Sequence, residues 1–190
     1  MSCPSRPSRL RRPHLWLVTG PAGCGKTTVA EYLAGALDVP YIEGDAHHPQ
    51  ANIDKMSAGV PLNDSDRWDW LTELRRQSNR RIHDGTHGVV VACSALKLKY
   101  RDVIRVAAYY DPSIRIRFIF LHASQELLLE RVAARKGHYM GAGMVKSQFE
   151  ILERPTEDET DAITLDASRD VDEVKEAALA SVNAVLMADS

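Results

Sequence analysis

The segment from Gly20 to Thr27 constrains the fold of this chain more than any other feature of its sequence. It reads Gly-Pro-Ala-Gly-Cys-Gly-Lys-Thr and fits the pattern G-x-x-x-x-G-K-[ST]. A strand-like apolar run, residues 14–19, leads into it, and apolar residues at helical spacing follow it. Glycine at positions 20 and 25 lets backbone N–H groups turn inward around phosphate oxygens, and the next helix points its positive end at them. The pattern therefore predicts a loop that binds the phosphates of a nucleoside triphosphate.

The side chains of this loop have separate predicted roles. Lys26 is expected to reach the β- and γ-phosphates and to act in catalysis, and the Thr27 hydroxyl is expected to bind Mg²⁺. The loop thus predicts that the protein binds a nucleoside triphosphate together with Mg²⁺. The residues predicted to bind the nucleotide in and beside the loop are Gly20, Pro21, Ala22, Gly23, Cys24, Gly25, Lys26, Thr27 and Thr28.

Short apolar runs alternate with longer helical periods along the rest of the chain. Strands are predicted at residues 14–19, 40–45, 88–93, 115–121 and 162–165. Helices are predicted after the loop, from about Asn63 with Leu71, Leu74, Ser78 and Ile82 on one face, at about 97–107, from Ser124 to about Arg135, and from Val171 to Val185. Strands separated by helices indicate βαβ units. The expected fold is therefore α/β, with helices on both sides of a central parallel sheet.

Composition and charge limit the class of protein. The chain has 190 residues, 44% of them hydrophobic, which suits one globular domain over residues 14–190. Residues 1–13 hold four arginines and no acid, and are predicted to be a disordered basic tail. Without those four, 20 basic residues face 26 acidic ones, a net charge of −6, which argues against nucleic acid as the main partner.

Two further expectations concern the location of the protein. No apolar stretch approaches the roughly 20 residues that span a bilayer, so no membrane association is expected. The three cysteines have no C-x-x-C spacing, which indicates neither a disulfide framework nor a cysteine zinc site. A reducing compartment fits best, and we expect the protein in the cytoplasm.

Asp45 stands at the end of the second predicted strand, and it is the acid nearest to the phosphate loop among those that end a predicted strand. There it can orient Mg²⁺ or its water, or accept a proton from a substrate hydroxyl. The alternative is an ordinary turn residue in Gly44-Asp45. The guanine-reading sequence N-K-x-D is absent from the chain, and the strand at 88–93 is not followed by a carboxylate. The pattern therefore favours a kinase over a GTPase or a hydrolytic ATPase.

Several longer blocks resemble the gluconokinase family. They run in family order between residue 15 and about residue 175. The blocks are Gly44–Asn52 with Lys55-Met56, Pro61–Arg67 with Trp70-Leu71, Cys93–Lys97 with Tyr100-Arg101-Asp102, Arg135–Met140, and Ser147–Phe149. The chain departs from the family at Asp69, where the family has proline, and at Tyr139, where it has phenylalanine.

The resemblance implies ATP-dependent phosphorylation of D-gluconate, a small-molecule substrate, at its 6-hydroxyl. It also implies an adenylate-kinase-like P-loop fold with an acceptor-binding insert at about 46–83, a mobile lid at about 135–150 and, often, a homodimer. Two alternatives stay open at this point. One is a kinase for another small hydroxy acid such as shikimate, and the other is a module that binds ATP without transferring a phosphoryl group.

The resemblance also points to residues that would contact the acceptor and the lid. The gluconate carboxylate needs a cation, and the candidates are Arg67, Lys97 and Arg101, although the same residues could form ordinary ion pairs on helix surfaces. Arg135 is expected to act in catalysis from the lid, and Arg131 to support the lid or stack on adenine. The acceptor-binding residues are predicted to be Asp45, His48, Asn52, Lys55, Arg67, Lys97, Arg101 and His138.

Overall fold

The computed structural model of the protein describes residues 12–134 and 142–189. Strands and helices alternate along these residues. The strands are β1 (His14–Thr19), β2 (Tyr41–Glu43), β3 (Gly88–Ala92), β4 (Arg115–His122) and β5 (Ala162–Asp166). The helices are α1 (Lys26–Leu37), α2 (Gln50–Ser57), α3 (Asp64–His83), α4 (Leu98–Tyr110), α5 (Gln125–Ala134), α6 (Ala142–Glu150) and α7 (Val171–Ala188), and a 3-10 turn covers Gly44–His47.

The five strands form one parallel sheet in the order β2-β3-β1-β4-β5. The chain passes from β1 to β2, returns to β3 between them, and then crosses β1 to reach β4. Because the strands are parallel, the loop after β1 and the turn after β2 emerge at the same edge of the sheet. Ligands of open α/β sheets bind at this edge, beyond the carboxyl ends of the strands.

Helices cover both faces of the sheet, which confirms the predicted three-layer α/β/α fold. On one face, Trp16 and Val90 pack with apolar residues of α1 and α7. On the other face, Leu15, Leu17 and Val89 pack with residues of α3 and α4. A strand that is buried on both faces needs a continuous apolar run rather than alternation. All six residues of β1 are buried for this reason.

The sequence predicts the start of α3 correctly, but it does not predict the end of the second strand. The strand predicted at 40–45 ends at Glu43, because a 3-10 turn begins at Gly44. The predicted start near Asn63 is confirmed. The Asn63 side chain accepts from the Asp66 N–H at 2.9 Å, and the Asp66 carboxylate accepts from the Asn63 N–H at 3.0 Å. This reciprocal capping box satisfies two donors at the helix start.

The predicted tail and lid lie largely outside the described residues. Residues 1–11 are not described, and Pro13, assigned to the tail, accepts a hydrogen bond from the Arg115 N–H at 2.9 Å. Of the predicted lid, residues 135–141 lie outside the described part, and residues 142–150 form α6, which buries Val145 and Gln148. Over residues 12–134 and 142–189, no helix is long and apolar enough to cross a membrane.

Gly44 holds the turn after β2 against the neighbouring strand. A Cβ atom built there would lie 2.2 Å from the Ala92 carbonyl oxygen. The carbonyl of Gly44 also accepts a hydrogen bond from Trp70 Nε1 at 2.7 Å. Only glycine allows both contacts, so this turn is fixed between β3 and α3.

We expect Gly44→Ala to lower the free energy of unfolding by about 1–3 kcal/mol or more, because the added methyl must displace backbone. The matched control is Gly35→Ala in α1, where an added Cβ meets nothing within 4 Å. Alanine there should stabilise the helix by about 0.5–1 kcal/mol. Urea denaturation of both variants measures the difference. Equal stability of the two variants would show that the turn moves freely away from β3.

Candidate active site

The phosphate loop joins β1 to α1 at the edge where the strands end. Gly20 has φ +143°, and a Cβ on it would lie 2.6 Å from the Leu121 carbonyl oxygen, so glycine is required. Gly25 precedes α1 in a left-handed conformation, φ +95°. Lys26 Nζ folds back over the loop and donates to the Pro21 carbonyl at 3.0 Å. The loop thus has the backbone and the cation of a phosphate-binding loop.

A cavity of about 530 Å³ opens beside this loop. Its walls come from the loop, the turn after β2, the start of α3, α5 and α6, so that distant parts of the chain meet there. Residues predicted from the sequence that line it are Ala22, Gly23, Gly25, Lys26, Thr27, Thr28, Asp45, His48 and Arg67. Residues that the sequence analysis did not name as site residues also line it: Glu43, Met56, Leu62, Ser94, Val132, Met144 and Gln148.

Glu43 is a site residue that the sequence analysis missed. Its Oε2 accepts hydrogen bonds from the Thr27 hydroxyl at 2.9 Å and from the Tyr41 hydroxyl at 2.5 Å. The sequence analysis placed Asp45 at the end of the second strand, whereas the strand ends at Glu43. The correct strand boundary was therefore the signal that could have identified this carboxylate.

Asp45 is the second residue of the 3-10 turn and lines the cavity with a side chain that is 47% exposed. Desolvation within the cleft raises the pKa of the Asp45 carboxyl above its ordinary value. The charge of Lys26 opposes this rise, Glu43 adds to it, and Arg67 opposes it. A carboxylate with a raised pKa is a better proton acceptor, which suits a general base.

His48 is held by an aromatic stack at the side of the cavity. Its ring lies 4.0 Å from the Trp70 ring, centroid to centroid, at an angle of 18°. Burial, aided by the charge of Arg67, lowers the pKa of His48 to about 4. Asn52 is also buried and contacts both His48 and the Asp66 carbonyl. The structure thus brings two predicted acceptor residues together with Asp45.

Two lysines that were predicted to bind the acceptor are already paired with carboxylates of α3. Lys55 Nζ lies 2.6 Å from Asp66 Oδ1, and Lys97 Nζ lies 2.9 Å from Asp64 Oδ1. Hydrogen bonds from Lys99, Tyr100 and Lys97 to the Asp64 carboxylate hold its pKa well below the usual range. Neither Lys55 nor Lys97 is among the residues that line the cavity. In these positions both lysines form ion pairs with the first turn of α3.

Arg67 is the predicted cation that lines the cavity. Its residue is only 5% exposed, and its Nε lies buried without a hydrogen-bond partner among the described residues. The guanidinium carbon lies 5.6 Å from the centre of the Tyr100 ring. A buried cation is costly unless an anion approaches it. Arg67 is therefore suited to an acidic group of a bound molecule.

Arg101, a predicted acceptor-binding residue, is not among the residues that line the cavity. The side chain of Arg101 is fully buried and donates to both carboxylate oxygens of Glu159, at 2.6 and 2.5 Å. It also donates to the carbonyls of Ala95 and Glu153. These contacts bind the segment after α6 to α4. The guanidinium of Arg101 thus joins these segments within the protein.

Arg131, which was predicted to support the lid or stack on adenine, lies within the described residues. Its guanidinium donates to the Ala167 carbonyl at 2.8 Å. It lines a smaller cavity of about 200 Å³ together with Cys24, Thr28 and Val174. This cavity adjoins the phosphate loop through Gly23, Cys24 and Gly25. Arg135 and His138 lie outside the described residues.

Gln148 of α6 is the second site residue that the sequence analysis missed. It is 7% exposed, and its Oε1 accepts a hydrogen bond from the Ala22 N–H at 2.7 Å. This bond ties α6 to the phosphate loop across 126 residues of sequence. Gln148 lies in a block that resembles the family, but nothing in its spacing indicates a contact with the loop.

The sequence of this chain is similar to several known kinases. A family model described as an AAA domain matches residues 17–153. A probable gluconokinase of Schizosaccharomyces pombe is 46% identical over 177 residues, which cover 93% of this chain and 91% of that protein. The thermosensitive gluconokinase of Escherichia coli is 39% identical over 170 residues, which cover 90% and 88%.

Solved structures agree with the sequence comparison. A gluconokinase from Sinorhizobium meliloti matches with a TM-score of 0.80 and 40% identity, over 93% of this chain and 95% of that chain. A shikimate kinase from Acinetobacter baumannii matches with a TM-score of 0.55 but 16% identity, which shows a shared fold alone. The gluconokinases named here match this chain over most of their own length, and this chain belongs to the gluconokinase family.

Proposed function

We propose that the protein transfers the γ-phosphoryl group of ATP to the 6-hydroxyl of D-gluconate, giving 6-phosphogluconate and ADP. The observation that carries this proposal is the buried Arg67 guanidinium, which lines the same cavity as Lys26 and Asp45. Gluconate offers a carboxylate for the arginine and a hydroxyl for the aspartate. The names of the similar proteins support the same reaction.

The choice of Arg67 as the carboxylate-binding residue follows from the pairing of the other cations. Lys55 and Lys97 are each within 2.9 Å of a carboxylate of α3, and Arg101 is bound by Glu159. A further carboxylate would gain little from a cation that is already neutralised. Arg67 has no such partner in the described part of the chain, and a charge-assisted contact with it is correspondingly stronger.

Thr27 and Glu43 are the residues that would hold Mg²⁺. Their side-chain oxygens are 2.9 Å apart beside the phosphate loop, and both are the hard ligands that Mg²⁺ prefers. No cluster of three or more potential metal-ligating side chains occurs within residues 12–134 and 142–189. This fits a metal that is held by one or two protein groups and by substrate phosphates. When bound, Mg²⁺ would neutralise charge on the phosphates.

Asp45 is then assigned to the acceptor rather than to the metal. Glu43 stands between it and Thr27 in the chain, and Asp45 lies on the His48 side of the cavity. In this role it accepts the proton of the 6-hydroxyl as the O–P bond forms. Lys26 and the loop amides stabilise the charge that spreads over the transferred group.

Asp45→Asn should lower kcat by about 10²-fold or more, the scale of a general base, and leave ATP affinity unchanged. The substitution keeps the shape and removes the proton acceptor. Asp54→Asn is the matched control, since Asp54 is an exposed residue of α2 that bonds only to Gln50 in the described contacts. Steady-state ADP release with gluconate measures kcat, and calorimetry measures ATP binding. An unchanged kcat would show that Asp45 is an ordinary turn residue and not a general base.

An acceptor screen with ATP and Mg²⁺ tests the proposed function as a whole. Gluconate should give ADP and a phosphate ester at carbon 6, identified by NMR. Turnover of shikimate or another hydroxy acid, with no turnover of gluconate, would show that the protein is a kinase with a different substrate. Binding of ATP without turnover of any acceptor would favour a non-catalytic module.

A further inference from the structure

Three groups beside the cavity form a continuous hydrogen-bonded chain. They are the backbone carbonyl of Asp66, the side-chain amide of Asn52 and the ring of His48. Asn52 Nδ2 lies 2.7 Å from the Asp66 carbonyl oxygen and 3.4 Å from His48 Nδ1. Asn52 is 4% exposed and His48 is 9% exposed, so water is largely excluded from the chain.

The chemistry of these groups fixes the direction of each hydrogen bond. A carbonyl oxygen only accepts, so the Asn52 amide must turn its NH₂ group, and not its oxygen, toward Asp66. The same NH₂ group has a second hydrogen, which faces His48 Nδ1. Nδ1 must therefore be the unprotonated, accepting nitrogen, and the ring hydrogen is on Nε2.

His48 Nε2 points toward Asp45 and the cavity. It lies 3.9 Å from Asp45 Oδ1, which is too long for a direct hydrogen bond. One oxygen atom between them can lie within hydrogen-bond distance of both. The stack of the His48 ring on Trp70 and the hydrogen bond from Trp70 to the Gly44 carbonyl hold the ring in this orientation.

We propose that Asn52 is a positioning residue that fixes His48 as its Nε2–H tautomer, and that His48 donates from Nε2 to a hydroxyl oxygen of the acceptor beside Asp45. This inference rests on the proposed function, because the hydroxyl belongs to the sugar acid. It gives the pair complementary roles. Asp45 only accepts hydrogen bonds, His48 donates one, and a hydroxyl group can do both at once.

The tautomer is tested first, on the full chain without any ligand. In protein labelled with ¹⁵N-histidine, the His48 signals are identified by their loss in His48→Gln. The wild type should show a protonated Nε2 and an unprotonated Nδ1. In Asn52→Asp the carboxylate can accept from Nδ1, so the hydrogen should move to Nδ1. A protonated Nδ1 in the wild type would overturn the proposal, whatever the substrate of the enzyme.

The donor is tested by two substitutions of His48 that differ in reach. In His48→Gln the side-chain NH₂ can take the place of Nε2, whereas in His48→Asn it reaches only as far as Nδ1. His48→Gln should therefore keep a kcat/KM for gluconate at least about tenfold above that of His48→Asn, the scale of one hydrogen bond. ATP affinity should be equal in both variants. Equal or reversed kcat/KM values would overturn the donor role.

These two experiments separate the inference from the proposed function. If the wild type shows the expected tautomer but does not phosphorylate gluconate, the acceptor assignment fails and the role of Asn52 stands. If the wild type phosphorylates gluconate but Nδ1 is protonated, the function stands and the inference fails.

Discussion

Lys26→Met should lower kcat for gluconate phosphorylation by at least about 10³-fold while the protein stays folded. Lys26 is the one cation of the loop from Gly20 to Thr27, and its Nζ lies over the Pro21 carbonyl. Methionine keeps an unbranched chain of similar length, so packing is preserved. The substitution removes the positive charge that stabilises the negative charge on the transferring phosphoryl group.

ADP release with gluconate measures this loss, and circular dichroism with thermal melting checks the fold. The control is Lys175→Met on α7, where the ammonium group lies 2.9 Å from Asp172 at the protein surface. That variant should keep wild-type kcat to within a factor of about two, as expected for a surface pair worth under about 1 kcal/mol. A folded Lys26→Met enzyme with near wild-type turnover would refute the assignment of the phosphate loop.

Gluconate should exceed glucose in kcat/KM by at least about 10⁴-fold. Both molecules have a six-carbon chain with a primary 6-hydroxyl, so reach to the γ-phosphate cannot separate them. The difference is the carboxylate, which can pair with Arg67. With glucose, the buried guanidinium would stay desolvated and unpaired, a cost that adds to the lost contact.

Arg67→Met should remove most of this preference. We expect kcat/KM for gluconate to fall by about 10²-fold or more, and that for glucose to change little, because the arginine has no partner on glucose. Lys97→Met should keep most of the preference, since Asp64 already neutralises this lysine. Arg101→Met should instead destabilise the fold by up to about 3–5 kcal/mol, because the buried Glu159 loses its bidentate partner and keeps only the contact with Arg105.

ADP release measured separately with each acceptor gives these ratios, and thermal melting separates loss of fold from loss of binding. Comparable turnover of glucose by the wild type would contradict the carboxylate-binding role and the gluconate assignment with it. A larger loss of preference in Lys97→Met than in Arg67→Met would show that Lys97, and not Arg67, binds the carboxylate.

Local sequence determined the elements of this fold and the phosphate loop. Residues 14–19 are predicted and observed as a strand, because six consecutive residues suited to burial fit a parallel sheet covered on both faces. Asn63 and Asp66 determine the start of α3, because both halves of a capping box lie within four residues. The loop is predicted for the same reason, since all its groups are consecutive in the chain.

The sequence was less informative where two structures compete over a few residues. The strand residues Tyr41–Glu43 are followed by Gly44-Asp45, which can either extend a strand or form a turn, so the strand was predicted to end two residues too late. Glu43 was overlooked as a result. The order of the strands and the contact between Gln148 and Ala22 also depend on packing between elements that are far apart in sequence.

The sequence alone could name the cations that might meet an acid, but only the tertiary structure decided which of them is free to do so. Arg67, Lys97 and Arg101 all stand in blocks that resemble the family, and each has the charge that a carboxylate needs. Lys97 is paired with a carboxylate 33 residues away, and Arg101 with one 58 residues away. Burial and pairing, rather than residue type, set the strength of a charge, and both depend on which distant segments the fold brings together.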